Sequence, residues 1–270
     1  MLQPSLTVQQ EQVPSIGLGT WLLSGSSCEQ TVDQALRMGY RLIDTAQDYG
    51  NERWVGKGIR HAGVDRKQVF LVTKLTPGNY RYQDAIRTTK ESLSRLGTDY
   101  IDLMLLHWPN PAVPLGYTLD ALNKMKEEGY IMHIGLSNYP PSQIDRACSY
   151  STIFSNEIEY HPYLNRLNLI RHARENNYLL LAYSPLAKGR VSEDAVLSGI
   201  AKKYRKKPAQ VALRWLIQLG LAPIPKASSE KHLKENIEVF DFSLSKEEMQ
   251  TIENLNQQLH LDPVSDMADE

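Results

Sequence analysis

At 270 residues the chain is long enough for one large domain or two small ones, with a sizeable core. Its 30 basic and 31 acidic residues leave a net charge of −1, which argues against nucleic acid or a membrane surface recruited by a broad field. Cys28 and Cys148 cannot build a disulfide framework, no apolar run approaches the ~20 residues of a membrane span, and no basic segment followed by an apolar one opens the chain, so a cytoplasmic protein is expected.

Residues 5–19 read as an N-terminal β-hairpin, turning at Glu11-Gln12, that runs into a first strand at Ile16-Gly17-Leu18-Gly19. Gly17 and Gly19 lack the third glycine of a dinucleotide fingerprint, and are read as tight packing at a strand end. The chain then alternates. Helical spacing predicts helices over 28–38, 52–62, 82–95, 118–128, 142–148, 167–176, 193–204, 208–219, 232–239 and 246–255. Short apolar runs predict strands over 41–43, 69–73, 100–106, 131–136, 153–158, 178–183 and 221–224. Apolar strands separated by amphipathic helices indicate a parallel sheet buried on both faces. Eight such strands with no visible linker suggest one (β/α)8 TIM barrel over residues 1–270. An open doubly wound sheet would want a glycine-rich first turn, which is missing. The polar tail beyond Leu259 is expected to cover the barrel rim or to fray.

Polar residues recur where the strands end: Asp44, Lys74, His107, Ser137 with Asn138, Glu157, Tyr183 with Ser184, and Lys226. In a parallel barrel these ends share one face, where such folds place their chemistry. Asp44, Tyr49, Lys74 and His107 would bring together a carboxylate, a phenol, an ammonium and an imidazole. A phenol titrating near ~10 is a poor acid at neutral pH, and an adjacent Lys74 held by Asp44 is expected to lower that value. With His107 donating to the same oxygen, Tyr49 could protonate a carbonyl gaining negative charge. None of these groups can supply a hydride, so a reduced cofactor must. The seven histidines show no paired metal-ligand spacing, so no metal is expected.

The run Gly39 to Gly56, with Arg41, Asp44, Ala46 and Glu52, resembles the first signature of the aldo-keto reductase family. The resemblance continues through Leu71-Val72-Thr73-Lys74, Leu106-His107-Trp108-Pro109, Ile134-Gly135-Leu136-Ser137-Asn138-Tyr139, Ala182-Tyr183-Ser184-Pro185-Leu186 and Pro208-Ala209-Gln210-Val211-Ala212-Leu213-Arg214-Trp215. It implies a (β/α)8 reductase that uses NADPH, with NADH possible, and Asp44, Tyr49, Lys74 and His107 at the four catalytic positions. It further implies that Ser137, Asn138 and Glu157 hold the carboxamide, that Tyr183 stacks on the nicotinamide, and that Thr20, Asp44, Ser184 and Leu186 line the same cofactor. Lys226, Ala227, Ser228, His232, Glu235 and Asn236 fall at positions near the adenosine phosphate and the adenine.

Two departures have consequences. Glu157 stands where the family usually has Gln: a carboxylate accepts but cannot donate, and its charge would favour the oxidised, cationic nicotinamide. Ala227 and His232 stand where NADPH-specific members usually have Ser and Arg, so a weakened NADPH preference is expected. Trp21 and Trp108 should wall the substrate mouth beside Tyr49 and His107. Length and the short tail look most like bacterial reductases of 2,5-diketogluconate and methylglyoxal. That implies a monomer acting on small carbonyl substrates such as α-oxoaldehydes and keto-sugar acids. The rival expectations are a non-catalytic nucleotide-binding redox sensor on the same barrel, and a pyridoxal-phosphate enzyme with Lys74 as its Schiff base.

Overall fold

The computed structural model describes residues 4–269; Met1, Leu2, Gln3 and Glu270, the ends of the span assigned to the barrel, lie outside the described residues. An antiparallel hairpin, β1 (Ser5–Val8) and β2 (Glu11–Pro14), precedes eight parallel strands in sequence order. These are β3 (Leu18–Gly19), β4 (Leu42–Asp44), β5 (Phe70–Leu75), β6 (Ile101–Leu106), β7 (Ile131–Ser137), β8 (Ile153–Glu159), β9 (Leu179–Tyr183) and β10 (Ala222–Pro223). The sheet curls until its ends meet, with a parallel bridge from Gly19 to Lys226 and the amides of Gly17 and Gly19 donating hydrogen bonds to the Pro223 and Pro225 carbonyls. A Cβ on Gly19 would sit 2.6 Å from the Ile224 carbonyl oxygen, so this seam accepts only glycine. The glycines of the first strand therefore serve packing, as the missing third glycine implied.

Helices α1 (Gly25–Arg37), α2 (Glu52–Ala62), α3 (Tyr82–Leu96), α4 (Leu115–Glu127), α5 (Pro141–Cys148), α6 (Leu167–Asn176), α7 (Ala195–Tyr204) and α8 (Pro208–Leu219) alternate with the strands, and α9 (Glu230–Ile237) and α10 (Lys246–Glu253) follow. The core has two layers, as buried-sheet logic requires. Leu42, Val72, Leu103, Leu105, Phe154, Leu181 and Ala222 fill the barrel, and Val8 and Val13 of the hairpin close its lower end. Ile43, Leu71, Met104, Leu106, Ile134 and Leu136 point outward onto apolar helix faces.

Three features differ from the sequence expectation. The hairpin turns at Gln9-Gln10, not Glu11-Gln12; both residues have positive φ, 48° and 72°, as a tight two-residue turn requires. Gln lacks the turn preference of Asn-Gly, but the Gln9 amide donates to the carbonyls of Ile153 and Asn177, 3.0 Å each, and anchors the turn. Second, Asp44 and Lys74 belong to β4 and β5 rather than following them, and that membership buries both. Third, the chain before α7 forms two short 3-10 turns within Ala187–Glu193, broken at Lys188 and Gly189, and α7 begins at Ala195 under an Asp194 cap. The tail is fastened across the mouth. Glu159 accepts from the amides of Leu261 and Asp262, and the Arg166 guanidinium pairs with Asp269 at 2.7 Å and donates to the Ser265 carbonyl.

Candidate active site

The site is a cleft of about 1090 Å³ at the carboxyl ends of the strands. Its floor is built by strand alternation. Asp44 on β4, Lys74 on β5 and Glu157 on β8 point into the barrel and are 2 %, 1 % and 2 % exposed. The Lys74 ammonium lies 2.7 and 2.6 Å from the two Asp44 oxygens, 3.1 Å from the Thr45 carbonyl and 3.3 Å from Glu157 Oε1. Its fifth close oxygen is the Tyr49 hydroxyl, at 3.3 Å. Tyr49 arrives on a one-turn 3-10 helix, Gln47–Tyr49, which ends at Gly50 with φ 64°. His107, just past β6, closes the other side, with ring centroids 5.8 Å apart in an edge-on arrangement. The four side chains expected to converge do so.

Their protonation departs from the expectation in one respect. The Tyr49 phenol is pushed up, not down: burial dominates, and the attraction of Lys74 is offset by the carboxylates of Asp44 and Glu157. Lys74 is itself raised despite burial, because both carboxylates hold its charge. An ammonium so held is the opposite of the neutral amine that a Schiff base with pyridoxal phosphate needs. Since its oxygen accepts from Lys74, the Tyr49 hydroxyl is free to aim its hydrogen elsewhere. Glu157 is pushed up to about 8 by burial and by Asp44, against the pull of Lys74.

Sequence reasoning missed Asp48. Its carboxylate lies 3.1 Å from His107 Nδ1 and accepts from the Thr76 hydroxyl at 2.7 Å. The His107 hydrogen bond holds its carboxyl below the ordinary range, so it is acceptor only and the ring nitrogen facing it carries the proton. Burial lowers His107, against Asp48, so the resting ring is neutral with Nε2 unprotonated. Donation from Nε2, expected of His107, therefore requires the doubly protonated ring. Only the register of one 3-10 turn brings Asp48 there, and no spacing rule in the sequence marks it.

Around the floor, Trp21, Trp108, Ser137, Asn138, Tyr183, Ser184, Leu186, Lys226, His232, Glu235 and Asn236 all line the cleft, as expected. Asn138, with φ 60°, accepts from the Tyr183 hydroxyl at 2.8 Å and so orients that ring. Trp108 lies against His107 with centroids 4.4 Å apart, and Lys188 stands 5.8 Å over Trp21. Three residues expected to touch cofactor do not line the cleft. Thr20 is buried, donating to the Asp44 carbonyl at 2.8 Å; Ala227 packs in the core; Ser228 is exposed to one side. Lys188, Lys207 and Lys231 line it without having been expected, and Asp262, Pro263 and Val264 of the fastened tail line it too, the rim-covering outcome of the two expected for the tail.

Several signature residues are architectural. Asn51 donates to the carbonyls of Thr20 and Leu23 and accepts from Thr45, which ties the Tyr49 turn to the first strand. Glu52 is bound by Thr73 at 2.7 Å and Arg95 at 2.6 Å. A Cβ on Gly56 would lie 1.9 Å from the Leu96 carbonyl oxygen, so α2 and the end of α3 meet only over glycine.

Residues 15–257 match the sequence model of the Aldo/keto reductase family. An aldo-keto reductase of Mycobacterium ulcerans is 37 % identical over 270 residues, covering 97 % of this chain and 95 % of that protein. A crystal structure provisionally named 2,5-diketo-D-gluconic acid reductase B superposes with a TM-score of 0.95 at 38 % identity, over 99 % of this chain and 96 % of that one. A Bombyx mori aldo-keto reductase in complex with NADP gives a TM-score of 0.92 at 32 % identity, over 98 % and 97 % of the two chains.

Proposed function

This chain belongs to the aldo/keto reductase family, and on that premise we propose that it reduces small aldehydes and ketones to alcohols with NADPH, Tyr49 giving the proton. The observation that carries this reading is the convergence of a protonated Tyr49 and a charged Lys74, 3.3 Å apart, on the floor of one cleft.

The residues present suit a nicotinamide dinucleotide. The cleft, about 1090 Å³, is larger than a small carbonyl alone requires. Its floor offers Ser137, Asn138 and a Glu157 Oε2 with no protein partner to an amide, and Tyr183 offers an aromatic face. Its far end offers Lys207, Lys226, Lys231 and His232 to phosphate. Bound there, the reduced nicotinamide supplies the hydride that these side chains lack.

A proton donor must hold its proton at rest, and the raised Tyr49 does. Delivery becomes downhill once the carbonyl oxygen takes on alkoxide character, a far stronger base than a phenolate. Lys74 then stabilises the phenolate left behind, and Asp44 keeps Lys74 in place. His107 completes the oxygen site when its ring is doubly protonated, with Asp48 holding Nδ1. Trp21 and Trp108 confine the substrate, and Lys188 beside Trp21 suits an acid group on it, which favours α-oxoaldehydes and keto-sugar acids. The likeness to the structure named for 2,5-diketogluconate supports the same class.

Because Ala227 and Ser228 stand off the cleft and His232 replaces the usual arginine, the preference for NADPH over NADH is modest. The same reading has the chain act as a cytoplasmic monomer and as one barrel domain over 1–270; among the described residues no helix is long and apolar enough to cross a membrane. Consumption of NADPH and NADH with methylglyoxal, 2,5-diketogluconate and simple aldehydes tests the proposal. Turnover of at least one of them, faster with NADPH, is expected. Tight NADPH binding with no turnover of any carbonyl would instead favour a redox sensor.

A further inference from the structure

Among the described residues Lys74 is the only cation packed against both Asp44 and Glu157, and one ammonium cannot neutralise two buried carboxylates. Asp44 takes both short contacts, 2.6 and 2.7 Å, whereas Glu157 holds Lys74 by one oxygen at 3.3 Å. Its other oxygen, Oε2, is buried and has no hydrogen-bond partner among the described residues, although the residue lines the cleft. The two carboxyl groups also stand within hydrogen-bonding reach of each other. The other titratable groups facing Glu157 are Tyr49 from the turn after β4 and Tyr183 from β9; His107 acts from beyond β6 on Asp44. None of these is charged in the resting site, so none offsets the excess negative charge. Two close carboxylates with insufficient counter-charge bind a proton rather than both ionise.

We propose that Asp44 and Glu157 hold one proton between them at neutral pH, carried by Glu157, and that the protein releases it on binding the oxidised, positively charged nicotinamide cofactor but keeps it on binding the reduced, neutral one. The inference rests on the reductase reading and deepens it. A protonated Glu157 is a neutral group with one donor and one acceptor, the hydrogen-bonding equivalent of the glutamine usual at this position. The substitution therefore leaves a glutamine-like site at low pH and converts it to a carboxylate at high pH. A cation in the cleft is the missing counter-charge, so it favours the carboxylate; by linkage, raising the pH must favour the oxidised cofactor over the reduced one. Burial and the neighbouring Asp44 push Glu157 up to about 8, which places this change in the neutral to alkaline range. The enzyme would thus lean toward reduction in mildly acidic to neutral conditions and yield part of that bias in alkaline ones.

The test is calorimetric titration of the full chain with NADP+ and with NADPH, in pairs of buffers of different ionisation enthalpy, from about pH 6.5 to about pH 9.5. The adenosine phosphate, which also titrates near ~6, is common to both forms and cancels in the difference. NADP+ is expected to release about half a proton more than NADPH near neutral pH, and the difference should vanish at the alkaline end. The affinity ratio of NADP+ to NADPH should rise on the order of tenfold across the range, a tenfold change matching one unit of difference between the two complexes. Glu157→Gln should bind both forms with equal proton counts and a flat ratio. Equal proton release in the parent protein, with both forms bound, would overturn this inference and leave the reductase reading intact. Binding of neither form would overturn both.

Discussion

The floor of the cleft and its phosphate end are built on opposite plans. On the floor, Asp44, Lys74 and Glu157 are almost wholly buried on neighbouring and facing strands, with every contact to Lys74 between 2.6 and 3.3 Å. At the far end Lys207, Lys226, Lys231 and His232 are exposed, and His232 is tied to its surroundings chiefly through its amide to the Ser229 cap. Proton transfer depends on fixed geometry and low local dielectric, which strands inside a barrel supply. Phosphate binding depends on charge, which flexible side chains deliver from solvent. Substitutions should accordingly be severe on the floor and graded at the rim.

The largest expected effect is on the floor. Lys74→Met leaves Asp44 and Glu157 without their counter-charge and the Tyr49 phenolate without stabilisation. kcat should drop by about 10²–10⁴-fold, and urea unfolding should report a loss of about 3 kcal/mol. A change confined to KM would break the comparison. Asp48→Asn, at the edge of the floor, should cost about tenfold in kcat. Asp48 raises His107, so its loss should also make activity decline at lower pH than in the parent protein. A pH–rate profile identical to the parent's would remove Asp48 from the account. The smallest effect belongs to the rim: His232→Arg should raise kcat/KM for NADPH relative to NADH about fivefold, with folding stability unchanged. A fall in that ratio would show that the phosphate lies elsewhere.

Much of this was legible in the chain. Strand-end polarity located Asp44, Lys74 and His107 because each ends a run of apolar residues that can only be buried, and the barrel followed from the alternation itself. What stayed hidden depends on three-dimensional neighbours. Nothing local distinguishes a residue that ends a strand from one that follows it, so the burial of Lys74 stayed hidden, as did the burial of Tyr49 that pushes its phenol up. Asp48 owes its place to one turn of 3-10 helix. Thr20, Ala227 and Ser228 sit beside residues that do line the cleft, and a family position does not reveal which way each side chain turns. Whether the tail covers the rim or frays was left open in the sequence, because the groups that fasten it, Glu159 and Arg166 among them, lie about a hundred residues away.

The central claim is that Tyr49 supplies the proton at the moment the carbonyl is reduced. Single-turnover rates of NADPH oxidation by preformed complexes of the parent protein and Tyr49→Phe, with saturating aldehyde, test it most directly. A fall of about 10²-fold or more, with NADPH affinity within a few-fold of the parent's, is the expected result. A Tyr49→Phe protein that turns over at the parental rate would contradict the account.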